Sequence, residues 1–189
     1  MDLDLLQQHA AGCTACGLHT GRLNPVFAKG NPNAEIMICG MVPAAEENKV
    51  GLPFVGRAGQ LLDKLLEDTN LTLDAVYITN LVKCYLAAGL PLQQEWIDAC
   101  LPYLINQIVL IKPKVVLTLG KDSSITLLGM PNDTALGKIR GKLYTIYESI
   151  KVIPTYHPSY LLRGGGEKHK SYPLVLEDFC LAQEILLDK

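Results

Sequence analysis

The chain has 189 residues, 49% of them hydrophobic, and a formal charge of −2. That length and apolar content support one well-buried core over residues 1–189. The charge balance excludes a globally basic nucleic-acid surface, so contact with a polyanion has to come from a local cationic face or from backbone amides. No run approaches the ~18 consecutive apolar residues of a membrane span, and the acidic start MDLDLLQQHA lacks the basic region and cleavage site of a leader. A soluble cytoplasmic protein is expected. Six cysteines in such a chain argue for metal ligation or plain burial rather than a disulfide framework.

Residues 3–12 have helical apolar spacing at Leu5, Leu6 and Ala10, and Gly12 ends that helix just before Cys13 and Cys16. A redox CxxC normally lies between a strand and a helix start, and no strand precedes Cys13, which favours metal binding. Residues 17–34 are turn-rich, with Val26 and Phe27 the only apolar pair, and predict a surface connection without regular structure. The first strand, 35–40, runs into a loop in which Gly40 and Pro43 shape the exit and Gly51 and Pro53 hold Phe54 in an extended turn. A helix over 58–70 follows, carrying Leu61, Leu62, Leu65 and Leu66 at helical spacing.

The second strand, 76–80, ends in Asn80. Residues 93–111 predict a long helix that Pro102 should bend or interrupt. An apolar strand over 115–119 and a helix from 121 to about 128 come next. Residues 137–141 read as a basic turn, 143–147 as a hairpin strand and 151–156 as the last central strand, ending at His157; a helix over 172–187 closes the chain. This alternation predicts a three-layer α/β/α fold around a central, mostly parallel four-stranded sheet.

Parallel strands would bring Gly40 to Phe54, Asn80, Gly120 and His157 to one sheet edge. A ring that stacks, an amide that reads an edge and an imidazole that meets a carbonyl oxygen suit a flat heterocycle. Taken singly, His157 and Asn80 read as strand-end or turn residues and Phe54 as a buried ring. Together they make a site only if they meet in space. The absence of GxSxG, Walker and GxGxxG patterns leaves serine acyl transfer and nucleotide hydrolysis without support.

The motifs CTAC, GLPFVGRAGQLLD, VYITNLVKC, Cys100, the RGK at 140–142 and HPSYLLR resemble, in that order, those of the thermophile-type iron-sulfur uracil-DNA glycosylases, family 4. The resemblance implies a DNA repair enzyme that flips uracil out of DNA and hydrolyses its N-glycosidic bond, leaving an abasic site. It implies Cys13, Cys16, Cys84 and Cys100 as ligands of a [4Fe-4S] cluster, with Cys39 and Cys180 outside the set. Four thiolates by themselves would equally suit zinc. It assigns Phe54 to stacking on uracil, Asn80 to its polar edge and His157 to the departing anion at O2, with Gly40, Met41 and Val42 lining the pocket. Leu161 corresponds to the wedge that fills the duplex gap, and Ala44, Gly59, Gln60, Lys142, Ser159 and Arg163 to DNA contacts. A monomer is expected, acting on single- or double-stranded DNA, associated with the nucleoid in a prokaryote, with a replication clamp or polymerase as a candidate partner.

One position departs from the family. Where family 4 carries a glutamate after the glycine that ends the first strand, this chain has Met41, in a GMVPAA motif closer to the GLAPAA of family 5. The aspartate that family 5 places downstream falls at Arg57. A thioether can neither orient water nor stabilise a cationic sugar. Three readings follow: a working glycosylase that relies on the uracil-anion side, a non-catalytic uracil or DNA binder, and an iron-sulfur protein with another ligand.

Overall fold

The computed structural model of the chain describes residues 2–187. Its strands are β1 (Lys29–Gly30), β2 (Ile36–Gly40), β3 (Val76–Asn80), β4 (Val115–Leu119), β5 (Tyr144–Ile146) and β6 (Ile150–Thr155). They form one sheet in the order β1-β3-β2-β4-β6-β5. The expected four strands are its parallel centre, β3-β2-β4-β6. Two short antiparallel strands extend it at the edges.

β1 lies where only a surface connection was expected. Val26 and Phe27, just ahead of it, are buried, because the Val26 N–H donates to the Lys83 carbonyl (2.8 Å) and the Thr79 hydroxyl to the Phe27 carbonyl (2.8 Å). These bonds satisfy backbone groups that an irregular segment crossing the core would leave unpaired.

The central strands are apolar on both faces, and alternate residues feed two cores. Ile36 and Ile38 of β2 face a cluster built by α3 (Arg57–Asp68), α7 (Pro158–Arg163) and α8 (Tyr172–Leu187). Met37 and Cys39 face the other cluster, built chiefly by α4 (Gln94–Ile111) and closed by Leu127 of α5 (Lys121–Leu128). The remaining helices are α1 (Leu3–Ala11), which packs on α4, and the short α2 (Ala45–Val50) and α6 (Leu136–Ile139). α6 occupies the predicted basic turn. The three-layer reading therefore holds. Pro102 does not interrupt α4: it lies on the exposed side, where the carbonyl deprived of its helical donor can face water. No helix among the described residues is long and apolar enough to cross a membrane.

Register places the site. Gly40 pairs with Asn80, and Leu119 with Thr155, so the loops after β2, β3, β4 and β6 leave from one edge. The loop after β2 is seated by α3: a Cβ at Gly59 would lie 2.0 Å from the Phe54 carbonyl oxygen, a contact no other residue type allows. Gly59→Ala is therefore expected to cost about 1–3 kcal/mol through forced displacement of backbone, read as a lowered midpoint in thermal unfolding. An unchanged midpoint would mean that the Phe54 loop is not held by α3.

Candidate functional site

The pocket is built around Gly40. A Cβ there would stand 2.3 Å from the Asn80 Oδ1 and 2.5 Å from Cζ of Phe54, so the carboxamide and the ring close over a residue without a side chain. Asn80 is only 2% exposed, and among the described residues its side-chain amide makes no hydrogen bond, which leaves it free for a ligand. Phe54 adopts the left-handed region, with φ 53°, an unfavourable conformation for a bulky residue that surrounding contacts must impose. Lys29 Nζ donates to its carbonyl (2.9 Å). The next two amides, Val55 and Gly56, donate to Glu47 Oε1 (2.9 and 2.8 Å), whose Oε2 accepts from the Ala44 amide (3.2 Å). Glu47, buried at the start of α2, thus clamps the β2 exit to the Phe54 turn.

His157 caps α7. Its Nδ1 lies 3.1 Å from the Ser159 amide nitrogen and 2.8 Å from the Ser159 hydroxyl. A backbone N–H can only donate, so Nδ1 is the acceptor and the ring proton sits on Nε2. Burial, reinforced by the nearby Arg163 charge and opposed by Glu47, pushes the imidazole down from 6.5 to about 4. The ring lies 5.8 Å from that of Phe54, centroid to centroid, tilted by 31°.

Met41, Val42, Ala44, Phe54, Asn80 and His157 line one cavity, whose outer wall is the loop 85–90. The structure thus brings the three chemistry-bearing residues together. A second cavity shares Met41, His157 and Ser159 and continues past Gly120 to Lys121, Tyr156, Tyr160 and Arg163. Met41, His157 and Ser159 stand on the divide between the two spaces. Of the proposed DNA contacts, Gln60, Lys142 and Arg163 are exposed and Ser159 is partly so. Lys142 follows Gly141, whose amide donates to the Pro154 carbonyl (2.8 Å) near the end of β6.

Two of the expected DNA contacts lie below the surface in this structure. Leu161 is 0% exposed and belongs to the core beneath α7, so it cannot wedge into a duplex without leaving that core. Gly59 is buried against the Phe54 backbone and offers no surface to a phosphate. The sequence reading also missed Lys121 and Tyr160 in the second cavity, although Gly120 at a strand end marked the place. It gave no role to Glu47, whose position three residues after the cap residue Ala44 is the usual one for a carboxylate that reaches back to a helix cap.

The second site lies on the α4 side of the sheet. Cys13, Cys16, Cys84 and Cys100 line one cavity beneath α1 and α4, together with Arg22, Lys83 and Tyr103. Cys39 is buried within β2, and Cys180 is exposed on α8. Arg22 donates to the Cys84 sulfur (3.2 Å), and the Lys83 amide donates to the Cys100 sulfur (3.2 Å). Burial pushes the Cys100 thiol up to about 11 and raises that of Cys84, so their thiolates need a metal to form. Among the described residues no three His, Cys, Asp or Glu side chains are gathered tightly enough for a single ion.

The imidazole geometry has a solution signature. Nitrogen NMR of His157 should report the neutral Nε2–H tautomer throughout the neutral range, with protonation only near 4. Because the folded pKa is depressed, the unfolded chain takes up the proton first, and the corresponding stability is lost as pH falls from 6.5 towards 4. A ring titrating near 6.5 would contradict the burial.

Comparison with known proteins fits this geometry. The Uracil DNA glycosylase superfamily model matches residues 27–179. The type-4 uracil-DNA glycosylase of Thermotoga maritima is 36% identical over 97% of this chain and 94% of its own length. That of Saccharolobus solfataricus is 42% identical over 100% of this chain and 88% of its own. That of Sulfurisphaera tokodaii is 39% identical over 98% and 85%. With similarity of this extent, the chain belongs to the type-4 uracil-DNA glycosylase family.

Proposed function

We propose that this chain, acting as one unit, removes uracil from DNA by hydrolysing the bond between uracil N1 and the deoxyribose C1′. The observation that carries the reading is the convergence of Phe54, Asn80 and His157 on one cavity floored by Gly40. An extruded uracil stacks on Phe54, and Asn80 pairs with its polar edge. Flipping costs a few kcal/mol, which these contacts offset. As the bond breaks, its electron pair passes to uracil and negative charge develops on O2. There the Nε2–H of neutral His157 donates, in a site where a fixed donor acts more strongly than in water. A water oxygen then adds to C1′, and its proton neutralises the uracil anion.

Lys121, Lys142 and Arg163 supply the local cationic face that a chain of charge −2 needs for phosphates. With Leu161 committed to the core, Tyr160, beside His157 in the second cavity, takes the gap-filling part. Cys13, Cys16, Cys84 and Cys100 hold a [4Fe-4S] cluster, which ties the N-terminal loop to the segment after β3 and to α4.

Met41 supports a second reading, a uracil binder with little or no turnover, because a thioether stands where the family's carboxylate would be, and the Glu47 carboxylate that also lines the cavity is engaged by the amides of Ala44, Val55 and Gly56. Single-turnover incubation with a uracil-containing single strand, followed by alkaline cleavage at abasic sites, separates the two. Abasic product is expected from the native protein, with a fall of about 10²–10³ for His157→Ala and a gain of about tenfold or more for Met41→Glu. Tight retention of uracil-DNA without product would establish the binder instead.

A further inference from the structure

Lys83 is among the largest side chains in the interior and is 2% exposed. Its ammonium group donates to the Thr79 hydroxyl (2.7 Å), to Gln107 Oε1 (2.7 Å) and to the backbone carbonyl of Asn80. All three N–H groups are therefore used. The acceptors are themselves anchored: the Thr79 hydroxyl donates to the Phe27 carbonyl (2.8 Å), and Gln107 Nε2 to the Tyr77 hydroxyl (2.9 Å). Every one of these partners is neutral. Among the described residues Lys83 takes part in no ion pair, and a buried cation without a counter-charge is costly. The other end of the residue shows where that charge can come from. Lys83 lines the four-cysteine cavity, its amide donates to the Cys100 sulfur (3.2 Å), and the next residue is Cys84.

We propose that Lys83 is the internal counter-charge of the thiolate site and the positioning residue that links it to the uracil pocket. Four thiolates on an iron-sulfur cluster leave it net negative. That charge holds the ammonium in place, the ammonium fixes the Asn80 carbonyl, and the Asn80 amide is thereby set over Gly40. Thr79 and Gln107 complete the connection from β3 to α4. Cluster occupancy is felt in this way at the residue that reads the base, with no ligand of the cluster touching uracil. The inference rests on the cluster reading given above.

The test compares the native holoprotein with Lys83→Met in three measurements. These are iron and sulfide content, the reduction potential of the cluster followed by its visible absorbance, and affinity for a single-stranded oligonucleotide carrying 2′-fluoro-2′-deoxyuridine, which resists hydrolysis. Removing the cation should move the potential to a more negative value, and losing the charged hydrogen bond to Asn80 should weaken binding about tenfold. Both changes are required. Native potential, native affinity or both in the folded variant would overturn the proposal while leaving the cluster reading intact. A native protein without iron and sulfide would overturn the cluster reading and this proposal with it. Should Lys83→Met fail to fold, Gln107→Glu sets a carboxylate against the ammonium instead. It should produce the same two shifts, and the same outcomes decide.

Discussion

The pocket depends on how closely two strand ends can approach. β2 and β3 run parallel with Gly40 opposite Asn80, and the space that a side chain at residue 40 would fill holds the Asn80 oxygen and the edge of the Phe54 ring. In a sheet interior packed at crystal density, a displacement of even one methyl group is felt. The same economy recurs at Gly59, which lets α3 start directly under the Phe54 carbonyl. Two glycines thus set the height and tilt of the ring. Glu47 and Lys29 then lock the strained Phe54 turn, through the amides on one side and the carbonyl on the other.

Electrostatics divides the site unevenly. On the leaving-group side, a neutral imidazole is fixed as a donor by two Ser159 contacts, and an unpartnered carboxamide waits for a polar edge. Met41, on the same cavity, supplies polarisable bulk and no charge. On the proposed function, such an arrangement stabilises the departing anion and leaves the developing cation to the substrate's own phosphates. The thiolate site, by contrast, is flanked by two basic residues, Arg22 and Lys83.

Much of this was legible in the sequence because the signals are local. A nearly continuous apolar run marked β4, a short run ending in a polar residue marked β3, leucines at helical spacing marked α3, and parallel strands imply that their carboxyl ends share an edge, which placed Asn80 and His157 beside Phe54. What was missed involves partners remote in the chain. β1 has two residues and exists through pairing with β3. Glu47 reads as a surface acid until its bonds to the amides of Val55 and Gly56 are seen. For Leu161 and Leu162, adjacent in an apolar pair, the phase of α7 decides which one turns inward. That helix begins at Pro158, capped by His157, and in its phase Leu161 is the buried one.

The central claim is that Asn80 and His157 face the same bound pyrimidine. Titrating the labelled protein with free uracil, while following the Asn80 side-chain amide and the His157 Nε2–H by NMR, tests it most directly. The account predicts that both signals shift together along one binding curve. Movement of only one of them, or of neither while uracil binds, would contradict it.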